Sequence, residues 1–288
     1  MVKQDKKSVG NPRPFLKWVG GKGRLIHDMS QYFPETYNRY FEPFVGGGAM
    51  FFSLNPDKSY INDMNVVLMN AYIHIRDDVE RLIKDLSILE AIFYELPNVD
   101  VDDSKKEFYL KKRVEYNQLS SDDFEKTSLL IFLNKTCFNG LYRENSKGGF
   151  NVPFGQHNKP TICDEENLRA ISTRLKKTTI SHGSYENVIK KAKAGDFIYL
   201  DPPYYPINSA SFTAYHASGF VERDQEILRD NFKKLAEMGC YVMLSNSDAP
   251  FINELYKDFT IHKIYAARSV NSVGTKRGKI AEVLVTSY

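Results

Sequence analysis

Short apolar runs and longer helical periods alternate along the chain. Runs rich in β-branched and aromatic residues predict strands, and in chain order they are RYFEP, SYINDMN, TTISHGSY, DFIYLDPPYY, CYVMLSNSD, FTIHKIYAA and KIAEVLVTSY. The first run leads into a glycine turn and a helix start, and helical stretches such as ERDQEILRDNFKKLAEMG separate later runs. This order of strands, turns and helices is typical of a doubly wound α/β sheet.

A different pattern interrupts the predicted sheet. From about residue 66 to 135 apolar residues recur at three- and four-residue intervals, which predicts helices. Residues 138–160 are dense in Asn, Gly, Lys, Arg and aromatic residues, which predicts a long polar loop. The sequence therefore predicts a sheet domain built from residues 1–65 and 160–288, with a mostly helical insert at 66–159. Within the first segment, the polar residues 1–13 predict a flexible leader.

Composition narrows the class of protein only slightly. A net charge of +3 permits a nucleic-acid partner only if the basic surface is local. Aromatic residues make up 13%, which is useful for stacking on bases, although most of them are expected in the core. The cysteines and the six histidines fall singly, so we expect neither disulfides nor a metal site. No apolar stretch reaches the length of a membrane span, and a cytoplasmic protein is expected.

The tetrapeptide Asp201-Pro202-Pro203-Tyr204 follows the apolar run FIYL. Its aspartate is therefore expected at the carboxyl end of a strand, where open α/β sheets bind ligands. The prolines cannot extend the strand and stiffen its exit. A carboxylate and the fixed carbonyl of Pro202 are two acceptors that would hold an exocyclic amine, such as that of adenine, and make it nucleophilic. The Tyr204 ring is suited to stacking on the same base. A simple acidic turn is the ordinary alternative.

The glycine turn of FEPFVGGG follows the first predicted strand. Consecutive glycines such as Gly46 let the backbone approach a ligand closely. The turn lacks the third glycine of GxGxxG, because position 51 is Phe, which argues against a dinucleotide. Asp63 lies 21 residues after Glu42, near the offset at which a carboxylate meets a ribose hydroxyl. A glycine turn flanked by carboxylates suits S-adenosylmethionine (AdoMet), which has a ribose and a cationic sulfonium but no phosphate.

The segment FLKWVGGKGR places the single tryptophan, Trp18, between Lys17 and Lys22. It is not a phosphate-binding P-loop, since it lacks GxxxxGK[ST] and no apolar strand precedes it. A cap over a bound cofactor, with a lysine reaching DNA or the AdoMet carboxylate, fits the segment better. A solvated basic turn with a buried tryptophan is the structural alternative.

These segments share an order with a known family. FLKWVGGK, FEPFVGGG, IND, NGLYREN with FNVPFG, and DPPY resemble the Dam-type (D12 class, alpha-group) DNA adenine-N6 methyltransferases, which recognise GATC. The resemblance is collinear from about residue 14 to 288. It implies an AdoMet-dependent methyltransferase sheet with an inserted target-recognition domain. It also implies methyl transfer from AdoMet to the adenine N6 of double-stranded GATC.

Site residues follow from the resemblance position by position. It implies that DPPY is the catalytic motif. The implied AdoMet-binding residues, together with Gly46 from the glycine turn, are Trp18, Lys22, Glu42, Phe44, Asp63, Tyr185 and Asp201.

The polar loop corresponds to the part of the family that reads DNA. Arg143 matches an arginine that reads a guanine, and Leu141 and Pro153 match residues that contact a thymine. An arginine fork on guanine O6 and N7 is a common specific contact in the major groove. Lys17 matches a lysine that contacts the first guanine. Phe138 stands where the family has tyrosine, so the aromatic wedge beside the flipped base remains but a hydroxyl contact is lost.

Further DNA contacts are expected outside this core set. Asn139 and Asn145 match loop residues of the family. Lys276 and Arg277 lie in the basic stretch RSVNSVGTKRGK, whose small polar spacers suit contacts with phosphates. The 33-residue span after DPPY, which includes SFTAYHASGF, is a candidate lid over the flipped base.

Several alternatives stay open at the level of sequence. The acceptors of DPPY would also serve adenine in RNA or the N4 amine of cytosine, although arginine readout of guanine favours duplex DNA over A-form RNA. A DNA-binding regulator on an inactive methyltransferase fold is a different class, against which the intact Asp201, Tyr204 and Asp63 argue. A monomer is expected, because a single chain can act on each strand of a palindrome in turn. The sequence leaves open whether a restriction endonuclease accompanies the protein.

Overall fold

The computed structural model describes residues 10–23, 25–207, 220–266 and 280–288. Its strands are β1 (Tyr40–Glu42), β2 (Ser59–Asp63), β3 (Thr178–His182), β4 (Phe197–Leu200), β5 (Tyr241–Ser247), β6 (Thr260–Ala266) and β7 (Ile280–Thr286). The helices are α1 (Ile26–Met29), α2 (Ala49–Leu54), α3 (Val66–Asp77), α4 (Val79–Glu95), α5 (Ser104–Gln118), α6 (Phe124–Thr136), α7 (Glu165–Leu175), α8 (Glu186–Ile189), α9 (Glu222–Glu237) and α10 (Pro250–Leu255). Each apolar run that predicted a strand contains one.

The chain divides into two compact units. The first comprises Met1–Gly21, Gly46–Asn55 and Asn65–His182, and the second comprises Lys22–Val45, Pro56–Met64 and Gly183–Tyr288. Helices α2 to α7 and strand β3 belong to the first unit, and the remaining elements belong to the second. The functional division at residues 66 and 159 stays a prediction.

Among the described residues, the second unit forms a sheet of six strands in the order β2-β1-β4-β5-β7-β6. Strands β2, β1, β4 and β5 run parallel, whereas β7 is antiparallel to both β5 and β6. The predicted α/β class is confirmed. The sequence did not predict that the last strand would lie between its two predecessors, because periodicity carries no information about strand order.

The core of the second unit explains why its strands read as apolar runs. All four residues of β4 are buried. A strand that is covered on both faces shows continuous rather than alternating hydrophobicity, which explains the apolar run. Helix α9 packs Leu228, Phe232 and Leu235 into the same cluster as the strand residues Ile198 and Val242. Their spacing places the three helix residues on one face.

The first unit is built on α6, whose residues 129–133 are all buried. Helix α7 was not predicted from periodicity, but the Asp164 carboxylate caps its start by accepting from the Asn167 amide N–H at 3.3 Å. Arg13 is fixed to this helix: its amide N–H donates to Asn167 Oδ1 at 2.8 Å, and its guanidinium pairs with Asp164 at 2.8 Å. The prediction of a flexible leader is therefore wrong for Arg13, while residues 1–9 lie outside the described part. No helix in the described residues is long and apolar enough to cross a membrane.

Candidate functional site

Three predicted carboxylates lie at one edge of the sheet in the second unit. Glu42 ends β1, Asp63 ends β2, and Asp201 directly follows β4. Because β1 is parallel to both β2 and β4, the carboxyl ends of the three strands point the same way. The structure therefore places these side chains where open α/β sheets bind ligands.

Aromatic residues contact Glu42 and the turn that follows it. Its carboxylate accepts a hydrogen bond from the buried Tyr40 hydroxyl at 2.8 Å. Phe44 stacks on Tyr185 with ring centroids 5.1 Å apart, and the Tyr185 hydroxyl accepts from Asn231 Nδ2 at 3.2 Å. The second unit thus brings together the predicted cofactor residues Glu42, Phe44 and Tyr185 from segments far apart in the sequence.

Asn62 supports this edge, although the sequence analysis assigned it no role. Its buried amide donates to the carbonyls of Pro43 at 3.1 Å and Gly183 at 2.8 Å. Its backbone carbonyl accepts from Val45, and the neighbouring Asp63 carbonyl accepts from the Gly183 amide. One side chain therefore ties the turn after β1 to the segment that leads to Tyr185.

Asp201 is ion-paired with Lys22, whose Nζ lies 3.0 Å from Asp201 Oδ1. Only 6% of Lys22 is exposed, and its Nζ also lies 4.6 Å from the centroid of the Tyr204 ring. Burial raises the pKa of the Asp201 carboxyl above its ordinary value, and the Lys22 ammonium opposes this rise. Lys22 was predicted from the family resemblance to contact AdoMet, but its pairing with Asp201 was not predicted.

Two buried amides hold the backbone of the DPPY turn. Gln225 Nε2 donates to the carbonyl of Pro203 at 2.9 Å, and Asn246 Oδ1 accepts from the Tyr205 amide at 3.0 Å. The two side chains bond to each other, with Asn246 Nδ2 donating to Gln225 Oε1 at 3.1 Å. Gln225 engages the second proline carbonyl, which is consistent with Pro202 supplying the predicted backbone acceptor. Sequence reasoning found neither amide, since each lies in an otherwise ordinary helix or strand.

We expect Gln225→Met to destabilise the protein by about 1–3 kcal/mol, because it leaves buried partners on Pro203 and Asn246 without a hydrogen bond. Urea unfolding followed by circular dichroism measures the change. The control is Gln118→Met, at an exposed position near the end of α5, for which we expect a change within about 0.5 kcal/mol. Equal stability of the two variants would contradict the structural role of Gln225.

In the first unit, Trp18 packs on the glycine turn. A Cβ at Gly46 would lie 3.0 Å from Trp18 Cδ1, and one at Gly47 would lie 3.1 Å from Trp18 Cβ. Gly46 also has a positive φ of 48°, which favours glycine. Trp18 also stacks on Tyr142, with ring centroids 4.7 Å apart. The glycines therefore let the tryptophan pack closely on the turn, a structural reason that the sequence analysis did not consider.

Lys17 lies against the loop that follows α6. The buried Asn134 side chain accepts from the Lys17 amide at 2.9 Å and donates to the carbonyls of Lys17 and Gly140, both at 3.0 Å. A Cβ at Gly140 would collide with the Lys17 side chain. The structure thus brings Lys17 and the predicted DNA-reading loop together, through an asparagine that the sequence analysis did not select.

The tip of this loop presents apolar residues outward. Phe138 is 52% exposed and Leu141 is 38% exposed, while Asn139 has a positive φ of 57°. The Phe138 amide donates to the Pro153 carbonyl at 2.9 Å, so both sides of the loop are joined at its base. An exposed phenylalanine on an anchored loop suits insertion into a base stack.

Arg143 and Asn145 lie further along the same loop. Asn151 accepts from Arg143 Nε through its side chain at 2.7 Å and from Nη2 through its carbonyl at 3.2 Å. Asn145 Oδ1 accepts from the amides of Lys147 and Gly149, which closes the turn between them. The predicted contacts Lys276 and Arg277 lie outside the described residues, and so do residues 208–219 of the span predicted as a lid.

Among the described residues, no group of histidine, cysteine, aspartate and glutamate side chains is arranged to hold a metal ion.

Comparison with known proteins identifies the family. The profile of the D12 class N6 adenine-specific DNA methyltransferases matches residues 18–270. The Type II methyltransferase M1.LlaDCHI of Lactococcus lactis subsp. cremoris is 43% identical over 284 residues, 96% of each chain. The Type II methyltransferase M.MjaIII of Methanocaldococcus jannaschii is 41% identical over 290 residues, 96% of this chain and 99% of the relative. A DNA adenine methylase of Vibrio cholerae serotype O1 is 35% identical over 274 residues, 94% of this chain and 95% of the relative.

The α/β sheet and these matches define the class of DNA methyltransferases. Within that class, the chain belongs to the D12 family of N6 adenine-specific enzymes. The predicted fold and the predicted enzyme class are thereby confirmed. Membership favours DNA adenine over the alternatives of RNA adenine, cytosine N4 and a catalytically inactive regulator.

Proposed function

We propose that the protein transfers the methyl group of AdoMet to the N6 amine of adenine in double-stranded GATC. The observation that carries the proposal is the position of Asp201: it is a partly buried carboxylate directly after β4, paired with Lys22 and followed by two prolines and Tyr204. The N6 lone pair of adenine is delocalised into the ring, so the amine needs acceptors that favour a tetrahedral nitrogen. The Asp201 carboxylate and the Pro202 carbonyl supply them.

The residues at the carboxyl edge of the sheet fit AdoMet chemically. Glu42 and Asp63 offer carboxylates to a cationic ligand with ribose hydroxyls, and the stacked pair of Phe44 and Tyr185 offers aromatic surface. When bound, AdoMet supplies an electrophilic methyl group on a sulfonium. Trp18 and Gly46, in the first unit, remain proposed contacts from the family resemblance.

The reaction places separate demands on the residues of the turn. Asp201 must be ionised to accept an N–H bond of the amine, and Lys22 favours that ionised state. As the nitrogen bonds to the methyl carbon, the carbon–sulfur bond breaks and positive charge develops on the nitrogen. The Asp201 carboxylate stabilises this charge and can hold the proton that the nitrogen releases. The Tyr204 ring stacks on the base that has left the duplex.

Recognition of GATC is assigned to the loop after α6. Arg143 reads a guanine, Leu141 and Pro153 contact a thymine, and Lys17 contacts the first guanine. Phe138 enters the stack beside the flipped adenine, and Asn139 and Asn145 shape the loop. The support is the shared anchoring of these segments by Asn134 and Pro153 and the exposure of Phe138.

We further propose that the enzyme acts as a monomer on each strand of the palindrome in turn. Two relatives are named Type II methyltransferases, which favours a role beside a restriction endonuclease, and a third is named a DNA adenine methylase. The higher identity to the first group favours the restriction–modification role.

One experiment tests both activity and specificity. The protein is incubated with labelled AdoMet and unmethylated plasmid, which is then cut with nucleases that differ in their sensitivity to methylated GATC. We expect label in N6-methyladenine and protection at GATC sites only. Absence of label in adenine would contradict the proposed activity, and label at other sequences would contradict the proposed specificity.

We expect the single-turnover rate of methyl transfer to fall as the pH is lowered. The apparent pKa of this fall should lie above that of an ordinary aspartate, about 4. The sign follows from burial, which raises the pKa of Asp201, while only the ionised carboxylate accepts the amine. Single-turnover rates between pH 4.5 and 8.5 measure the effect. Rates that stay constant down to the lowest pH would contradict a raised pKa of the essential carboxylate.

A further inference from the structure

Glu282 lies in β7, an interior strand that pairs with both β5 and β6. Glu282 itself is partly buried. A carboxylate that is partly removed from water is destabilised unless a hydrogen-bond donor compensates for the lost hydration. Tyr204 of the DPPY turn provides that donor, because its hydroxyl donates to Glu282 Oε2 at 2.8 Å.

The Tyr204 ring is held at a second place. Lys22 Nζ lies 4.6 Å from the ring centroid and 3.0 Å from Asp201 Oδ1. Asp201, Lys22, Tyr204 and Glu282 therefore form a continuous chain of contacts within the second unit. Burial raises the pKa of the Tyr204 phenol well above its ordinary value, so the hydroxyl stays protonated and donates to the carboxylate.

We propose that Glu282 is a positioning residue for methyl transfer, which fixes the plane of the Tyr204 ring by accepting the hydrogen of its hydroxyl. The inference rests on the proposed function, since it takes Tyr204 as the ring on which the target adenine stacks. A ring fixed at its hydroxyl and at one face presents its other face in a defined orientation. A base stacked there holds its amine at a fixed distance from Asp201. Loss of the acceptor lets the ring turn, which misaligns the target adenine but leaves DNA binding intact.

The test compares Glu282→Ala, Glu282→Gln, Tyr204→Phe and the double variant Glu282→Ala/Tyr204→Phe in steady-state methylation of a GATC duplex. We expect Glu282→Ala and Tyr204→Phe each to lower kcat roughly tenfold or more, the usual effect of losing a hydrogen bond to a charged group. KM for DNA should change by less than about threefold, because binding is preserved. Glu282→Gln should recover most of kcat, since its amide oxygen still accepts.

The double variant gives the sharpest measurement. If Glu282 acts through the Tyr204 hydroxyl, the double variant is no slower than Tyr204→Phe alone. If kcat of the double variant instead falls by the product of the two single effects, Glu282 acts independently of Tyr204, which would overturn the proposal. A Glu282→Gln variant as slow as Glu282→Ala would also overturn it, because the charge and not the hydrogen bond would then matter.

Controls separate this inference from folding and from the proposed function. Tyr204→Phe removes the same hydrogen bond without altering β7, so it tests the idea even if Glu282→Ala does not fold. Tyr94→Phe, which breaks a tyrosine–glutamate hydrogen bond of 2.7 Å to Glu90 on α4, should leave kcat unchanged. An active Asp201→Asn variant would contradict the proposed function itself. An inactive Asp201→Asn beside a fully active Glu282→Ala would contradict only the role of Glu282.

Discussion

Replacing Asp201 by asparagine is expected to lower kcat by about 10²- to 10⁴-fold, the range for loss of a group that both stabilises charge and handles a proton. Asparagine keeps the size of the side chain and one oxygen, but it loses the negative charge that stabilises the developing cation on the amine. Its amide can also turn a donor toward the N–H bonds that must be accepted. Rapid-quench assays with labelled AdoMet measure the rate, and gel-shift titration measures DNA binding, which should be retained.

Stability is the decisive control for this variant. A raised pKa means that ionised Asp201 costs folding free energy at neutral pH, even with Lys22 beside it. This sign follows because a carboxyl with a raised folded-state pKa stabilises the fold below its unfolded-state pKa and loses that contribution as pH rises. Asparagine resembles the protonated form and its Oδ1 can still accept a hydrogen bond from Lys22, so we expect Asp201→Asn to unfold at a denaturant concentration close to that of the wild type.

A matched surface variant completes the comparison. Asp230 lies in α9, where its side chain is 57% exposed and pairs with Arg229 at 2.9 Å. Asp230→Asn should leave both kcat and stability nearly unchanged, because exposed ion pairs contribute roughly 0–1 kcal/mol. A large loss of kcat in Asp230→Asn, or full activity in Asp201→Asn, would contradict the assignment of the catalytic carboxylate.

The strands and the carboxylates at their ends could be predicted because the signals that identify them are local in the sequence. Apolar composition marked each strand, and position at the strand end marked Glu42, Asp63 and Asp201 as ligands at the carboxyl edge. The parallel pairing of β1 with β2 and β4 brings these three residues together, as the α/β pattern implied. The antiparallel insertion of β7 could not be predicted, since it depends on long-range pairing.

The residues that sequence reasoning missed act through hydrogen bonds to backbone or through partners distant in the chain. Gln225 and Asn246 lie in α9 and β5, and only the fold brings them to the DPPY turn. Asn62 and Asn134 are each buried beside a predicted motif and join two loops through main-chain carbonyls. A polar residue inside an apolar run is the one local signal available, and it identifies such a residue without revealing its partner.

Removing the guanidinium of Arg143 should relax sequence preference more than it weakens binding. A bidentate arginine–guanine contact provides about 1–3 kcal/mol of discrimination, so Arg143→Ala should reduce the preference for GATC over sites altered at that guanine roughly 5- to 150-fold. Asn151 holds the Nε–Nη2 edge of the guanidinium, so a bidentate guanine contact would use the Nη1–Nη2 edge. Competition between GATC and single-substituted duplexes, read as a ratio of kcat/KM, measures the change.

The pattern of substituted sites makes this prediction specific. Preference should relax at the guanine position and persist at the thymine position, which Leu141 and Pro153 are proposed to contact. Arg169, an exposed arginine on α7 that pairs with Glu80 at 2.8 Å, provides the control, because Arg169→Ala removes a similar charge from the same unit. Weaker binding to all duplexes with an unchanged preference at every position in Arg143→Ala would show that the arginine positions the backbone of DNA without reading a base, since phosphate contacts weaken all sequences alike.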